Sequence, residues 1–247
     1  MGGAVASALS GSGYELAVYD CDPAKTAGYG SCACTDVLSA IKAADAVVLA
    51  VKPQQMNESL DVLKQHLPPD SLVVSIAAGV TTASIERQLG GNSRVVRCMP
   101  NLAAKVRRSV TAVCAGEHAQ TIDLDLVRDI FSRIGTVVTV EESQIDAITA
   151  VSGSGPGYLF YLLTCFQKAA VKLGFTPEQA QELVYGTACG SMELANGEDF
   201  EELCRQVCSK GGTTEAGIAQ FKAAGMEDVF VNVLSAASKR AGELSKT

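Results

Sequence analysis

At 247 residues with 47% hydrophobic content and no long apolar run, the chain reads as a globular protein of one large or two modest domains, with no segment spanning a membrane. Lys+Arg 20 against Asp+Glu 27 gives a net charge of -7, whose field repels a polyanion, so nucleic acid is excluded as a partner. The 9 cysteines are scattered through apolar segments and the chain reads as lacking a secretory leader, which favours a reducing cytoplasm over a disulfide scaffold. A zinc site would need Cys32, Cys34, Cys204 and Cys208 to converge, and no metal is expected.

Residues 1–9, small and apolar throughout, read as a helix that stops at Gly11-Ser12-Gly13. Residues 14–19 read as a strand that closes on an acid, Asp20. The continuous apolar run at residues 45–51, bounded by a charge and by Lys52-Pro53, suits a strand buried on both faces. Met56, Leu60 and Leu63 give residues 54–65 helical spacing. Strands are predicted at residues 71–77 and 94–99 with a short helix between them at 83–89. Strands at 110–114 and 136–140, separated by a helix at 124–134, complete the sheet. This alternation is the mark of βαβ units and an α/β fold.

The architecture changes at residues 149–160, where Ser152-Gly153-Ser154-Gly155-Pro156-Gly157 forms a hinge leading into a helix, and no strand is predicted beyond it. Residues 158–173 are apolar nearly all round, which predicts a helix buried on most faces. Thr176-Pro177-Glu178-Gln179 is a helix start, with Thr as N-cap, Pro at the first helical position and Gln completing a capping box. That helix should run to about residue 194, with further helical segments at 200–207, 214–223 and 228–244. So much apolar helix surface with no sheet beneath it predicts an obligate oligomer.

In open α/β sheets ligands bind outside the carboxyl ends of the strands. Those ends are Asp20, Ala50-Val51-Lys52-Pro53, Ala77-Ala78-Gly79-Val80 and Met99-Pro100-Asn101. Their small residues leave a trough for a dinucleotide, and Asn101 offers an amide to a carboxamide or ribose; ordinary turn chemistry is the rival reading of each. Of the usual Gly-rich fingerprint only the tail is present, because Met1-Gly2-Gly3 leads straight into the helix. The natural start is therefore expected upstream, with a first strand that would be central in the sheet, and the chain as given is expected to bind dinucleotide poorly. A second chemical stretch is Ser209-Lys210-Gly211-Gly212-Thr213-Thr214, where a Gly-Gly turn feeds a helix start carrying two threonines and suits a carboxylate. A well-capped surface helix is its rival.

Taken in order, these stretches resemble the pyrroline-5-carboxylate reductase family over essentially the whole chain. The residues that carry the likeness are Leu49-Ala50-Val51-Lys52-Pro53, Ala77-Ala78-Gly79-Val80-Thr81, Met99-Pro100-Asn101, Ser152-Gly153-Ser154-Gly155-Pro156 with Tyr158, and Gly211-Gly212-Thr213-Thr214-Glu215-Ala216-Gly217. The resemblance implies a Rossmann-like domain at residues 1–143, its first strand missing, followed by an all-α dimerisation and substrate domain at 144–247. It implies hydride transfer from NADH or NADPH to a cyclic imine carboxylate, giving L-proline. Hydride attack on an imine carbon needs a hydrogen-bonding group at nitrogen and an anchor for the carboxylate. Thr214 is assigned the first role, and Ser209 with the backbone of Gly211, Gly212 and Thr213 the second. Met1, Gly2, Asp20, Ala50, Val51, Lys52, Pro53, Ala78 and Asn101 are assigned to the cofactor.

Asp20 and Asp22 favour NADH, since two carboxylates repel a 2′-phosphate; the rival reading is that Asp22 caps the turn begun by Pro23. Lys210 and Leu102-Ala103 depart from the family's usual Pro and Thr-Pro, which leaves the shape of two loops open. Two other functions stay open at this point. One is a β-hydroxyacid dehydrogenase using Lys168 or Lys172, which lack the neighbouring asparagine expected there. The other is a catalytically impaired dinucleotide-binding or structural protein, made so by the shortened Gly-rich loop.

Overall fold

The computed structural model describes residues 1–245. Helix α1 (Gly2–Leu9) opens the chain, and 3₁₀ turns at Pro23–Lys25 and Ala27–Cys32 precede a one-turn helix α2 (Val37–Ile41). Then follow β1 (Ala46–Leu49), α3 (Met56–His66), β2 (Leu72–Ser75), α4 (Thr82–Leu89) and β3 (Arg94–Met99). After a 3₁₀ turn at Leu102–Val106 come β4 (Ser109–Ala115), α5 (Thr121–Ser132) and β5 (Gly135–Thr139). The helical part comprises α6 (Ile145–Ile148), a π-turn (Thr149–Gly153), α7 (Gly155–Lys172), α8 (Pro177–Leu194), α9 (Phe200–Val207), α10 (Thr213–Ala223) and α11 (Met226–Leu244). Beyond Thr139 no strand occurs among the described residues, as the change of pattern at the hinge predicts.

The five strands form one sheet in the order β1-β2-β3-β4-β5. All neighbours are parallel except β3 and β4, which run antiparallel with Arg97 opposite Cys114 and Met99 opposite Ala112. The reason is the connection: the short turn between β3 and β4 cannot make the crossover that a parallel pair requires.

Residues alternate along the strands between two cores. Leu72, Val74, Val96 and Cys98 face α1 and α5 residues Val5, Leu9, Val127, Ile130 and Phe131, whereas Val73 and Val95 face Met56, Leu60, Leu63 and Ile85 of α3 and α4. Burial on both faces is why these strands are continuous apolar runs. It also pushes the Cys114 thiol up to about 12 and that of Cys98 well above the ordinary range.

Residues 14–19 depart from expectation. They show the alternating exposure of a strand, yet join no ladder and make only an isolated parallel bridge, Val18 to Ala33. Val18 donates to Cys32 O at 2.7 Å and accepts from Cys34 N at 2.8 Å, and the sheet ends at β1, which pairs only with β2. A strand needs a neighbouring strand to satisfy its backbone, and among the described residues none lies beside this one.

The chain divides into two compact units: Met1–Pro156 joined by the segment from Ala236 onwards, and Gly157–Ser235. In the second unit the start of α8 is as the sequence predicts. Gln179 N donates to Thr176 Oγ1 at 3.2 Å, and Thr176 N donates to Gln179 Oε1 at 3.0 Å. Helix α7 is not buried within this chain: Ala170 is its one buried residue, and Leu159, Phe160, Tyr161 and Phe166 are more than half exposed. Its apolar surface is unpartnered here because the second unit has no sheet to receive it.

Candidate active site

In the first unit the structure brings Gly2, at the start of α1, against the end of β1. A Cβ on Gly2 would lie 2.6 Å from Ala50 Cβ, so only glycine lets α1 start this close to the Ala50-Val51-Lys52-Pro53 loop. Helix α1 has no side-chain cap and no acid in its first turn, which leaves its leading N–H groups for an anion. That donor set fits the pyrophosphate of a dinucleotide. Val51 is half-buried, and Lys52 and Pro53 are exposed.

At the end of β2, the Ala77-Ala78-Gly79 turn uses a φ of 76° at Gly79, where a Cβ would come within 3.0 Å of Leu244 O. Helix α4 behind it is held by Glu142, which accepts from Thr82 N at 2.8 Å and Thr82 Oγ1 at 2.6 Å. The same carboxylate pairs with buried Arg97 at 3.1 Å.

Asp20 makes its bonds within its own turn. It accepts from Asp22 N at 2.9 Å and from Lys25 Nζ at 3.2 Å, and the Asp22 N–H first, with Lys25 adding to it, holds its carboxyl below the usual carboxylate range. Asp22 accepts from Ala24 N at 3.1 Å as the cap of the turn that Pro23 begins. This second carboxylate is therefore committed to its own turn, the rival reading of the sequence. Lys25, which the sequence reading passed over, sets a cation beside Asp20. The Asp-Pro start of a tight turn was the signal that the chain folds back at this point.

Asn101 is nearly buried and its amide is already engaged. Nδ2 donates to Ser152 O and to Ser152 Oγ, each at 3.2 Å, and Oδ1 accepts from Ala103 N at 3.1 Å.

The second chemical stretch lies in the other unit. Ser209 to Gly212 form a turn closed by Gly212 N donating to Ser209 O at 2.9 Å, with Gly211 at φ +72°. Gly211 N donates to Glu215 Oε2 at 2.6 Å. Two of the three backbone amides expected to face a carboxylate are thus taken up inside the turn. Thr213 and Thr214 are the first residues of α10, which has no side-chain cap, so their N–H groups have no intrahelical acceptor. Ser209, Thr213 and Thr214 are all exposed.

Residues 142–244 match the family model for pyrroline-5-carboxylate reductase dimerisation, and residues 1–79 match that for the NADP oxidoreductase, coenzyme F420-dependent family. The pyrroline-5-carboxylate reductase of Pseudomonas aeruginosa is 42% identical over 210 residues, covering 84% of this chain and 77% of that protein. The chain belongs to the pyrroline-5-carboxylate reductase family. Solved members of the family share its fold. The reductase of Coxiella burnetii superposes with a TM-score of 0.92 at 36% identity, over 99% of this chain and 94% of that one. The Plasmodium falciparum pyrroline carboxylate reductase with NADP bound gives 0.86 at 25% identity, with coverage of 99% and 94%. A Rossmann-like nucleotide-binding region followed by a helical dimerisation region is therefore the architecture of this reductase-family chain.

Proposed function

We propose that this chain reduces L-1-pyrroline-5-carboxylate to L-proline, the last step of proline biosynthesis, in the cytoplasm. The observation that carries the reading is the joint occurrence, in a member of this family, of small-residue loops at the strand ends and an uncapped helix start behind a Gly-Gly turn. A reduced nicotinamide supplies the hydride when bound. The chain's own residues do the rest. The pyrophosphate is assigned to Met1 and to the first N–H groups of α1, led by Gly2; Ala50, Val51, Pro53 and Ala78 wall the cleft with little side-chain bulk, Lys52 belongs to the same loop, and Asn101 stands at its β3 side.

The substrate carboxylate is assigned to Ser209 Oγ and the leading N–H groups of α10, above all Thr213, with Gly211 and Gly212 shaping the turn. Thr214 Oγ1 is assigned the imine nitrogen. The substrate arrives protonated at that nitrogen, the imine carbon accepts the hydride, and the C=N pair becomes the nitrogen lone pair of a secondary amine. Positioning and charge placement thus suffice, with no proton to be moved by a histidine. Asp20 accepts from adenosine ribose hydroxyls, which favours NADH over NADPH. Self-association, as a dimer or higher, covers the apolar faces of the helical region.

The test is proline formation with consumption of NADH or NADPH, with kcat/KM compared for the two. Absence of proline with either cofactor refutes the reading, and a clear NADPH preference refutes the role given to Asp20. Thr214→Ala is expected to lower kcat by about 10- to 100-fold, the loss of one hydrogen bond to a charged group, and to leave dinucleotide binding unchanged.

A further inference from the structure

We infer that Asn101 acts in this reaction as a positioning residue, working through Ser152, and not as a direct ligand of the dinucleotide. The inference rests on the reading of the strand ends as the cofactor cleft. Asn101 follows β3 directly and is 9% exposed. An asparagine amide nitrogen carries two N–H donors. Here it lies 3.2 Å from Ser152 O and 3.2 Å from Ser152 Oγ, so its hydrogen bonds go to a single residue.

The network continues on both sides. Ser152 Oγ donates to Val110 O at 3.3 Å, and Asn101 N donates to Ser109 Oγ at 3.1 Å, which is 3.2 Å from Thr111 Oγ1. Oδ1 accepts from Ala103 N, so the same side chain also starts the Leu102–Val106 turn. Through its side-chain amide and its backbone N–H, Asn101 thus joins the end of β3, the start of β4 and the segment that leads into α7.

That segment is unusual. Ser152 lies in a π-turn at Thr149–Gly153, closed by Ser154 N donating to Thr149 O at 2.8 Å. Gly153 beside it is pressed on Met99: a Cβ there would meet Met99 Cε at 2.7 Å. A π-turn is an intrinsically poor conformation and persists where its surroundings hold it. Asn101 is the polar part of that hold and Met99 the apolar part, and both come from the carboxyl end of β3. The consequence is that Ser152-Gly153-Ser154 forms a fixed wall at the strand end where hydride transfer is proposed. Removing the amide releases the wall without removing a ligand.

The experiment uses Asn101→Ala, Ser152→Ala, their double variant and Ser152→Thr in the full chain. Four readouts are taken: kcat, KM, the dinucleotide Kd from the fluorescence of bound NADH, and amide hydrogen exchange over residues 149–154. Asn101→Ala is expected to lower kcat by about tenfold or more, as a small misplacement of reacting groups does. Its NADH Kd should stay within about twofold and exchange at 149–154 should rise, since no cofactor contact is lost. Ser152→Ala should move in the same direction by less, because the Ser152 carbonyl remains as an acceptor. Ser152→Thr, which keeps the hydroxyl, should retain activity, and the double variant should be no worse than Asn101→Ala.

A rise in NADH Kd of about tenfold in Asn101→Ala with none in Ser152→Ala would make Asn101 a direct ligand and overturn the inference. Lower thermal stability with kcat unchanged would reduce the network to a structural role and overturn it equally. Unchanged exchange at 149–154 in Asn101→Ala overturns it whatever the turnover. Lack of turnover in the unsubstituted chain would instead count against the proposed reaction.

Discussion

Lys25 is a residue that only the fold brings to the Asp20 turn. From sequence, Asp20-Cys21-Asp22 presents two carboxylates to the adenosine ribose; in the structure Asp22 is spent on capping the Pro23 turn and Asp20 is paired with Lys25. A single carboxylate with a cation 3.2 Å away repels a 2′-phosphate less than two free ones do. The ammonium can turn from Asp20 to a phosphate at little energetic penalty, because exposed ion pairs of this kind contribute little. Lys25→Glu is therefore expected to leave kcat/KM with NADH nearly unchanged and to lower it with NADPH by about tenfold. Steady-state kinetics with both cofactors check this, and an equal loss with both would show that Lys25 acts through the fold of its turn.

Among the elements, the seam between β4 and β5 depends on one residue. Gly135 opens β5 opposite Ser109 at a φ of 146°, and a side chain there would run into the Ser109 backbone. Ser109 also accepts the Asn101 N–H, so the same seam supports the network at the end of β3. Gly135→Ala is expected to destabilise the first unit by about 1–3 kcal/mol, from backbone strain and the displaced strand together. A thermal melt shows this as a lowered midpoint, and an unchanged midpoint would mean that β5 shifts freely. Other elements follow their sequence closely. Residues 94–99 and 200–207 are a strand and a helix with the predicted boundaries, and α8 starts at its capping box. Such elements are legible because their signals, apolar runs and caps, are local.

For the whole molecule the deciding feature is uncovered apolar surface. Phe160 and Phe166 on α7 are 59% and 54% exposed, Leu194 on α8 75% and Phe221 on α10 54%, too many large side chains to stand in water. Residues 142–244 match the dimerisation region of the family, which makes a second protein surface the proposed cover. The Phe160→Asp, Phe166→Asp double variant is expected to shift the protein towards monomer and to lower activity with it. Size-exclusion chromatography with light scattering measures the first and the proline assay the second. A variant that keeps the native mass would place the interface elsewhere on the helical region.

The sequence by itself determined the α/β class, the change of architecture at the hinge, the helix starts and the family. Each rests on periodicity, caps or motif residues that act over a few positions. Only the tertiary structure decided the direction of β4, the isolation of residues 14–19 from the sheet, the pairing of Asp20 with Lys25 and the commitment of the Asn101 amide to Ser152. The β3–β4 reversal follows from how short a connection can be, but the fate of residues 14–19 depends on which neighbours the sheet offers. Asn101 and Ser152 are 51 positions apart, and a side chain's hydrogen-bond partner at that separation is fixed by packing, for which no local pattern exists. That is why the sequence marks Asn101 as a site residue and the fold alone shows what its amide holds.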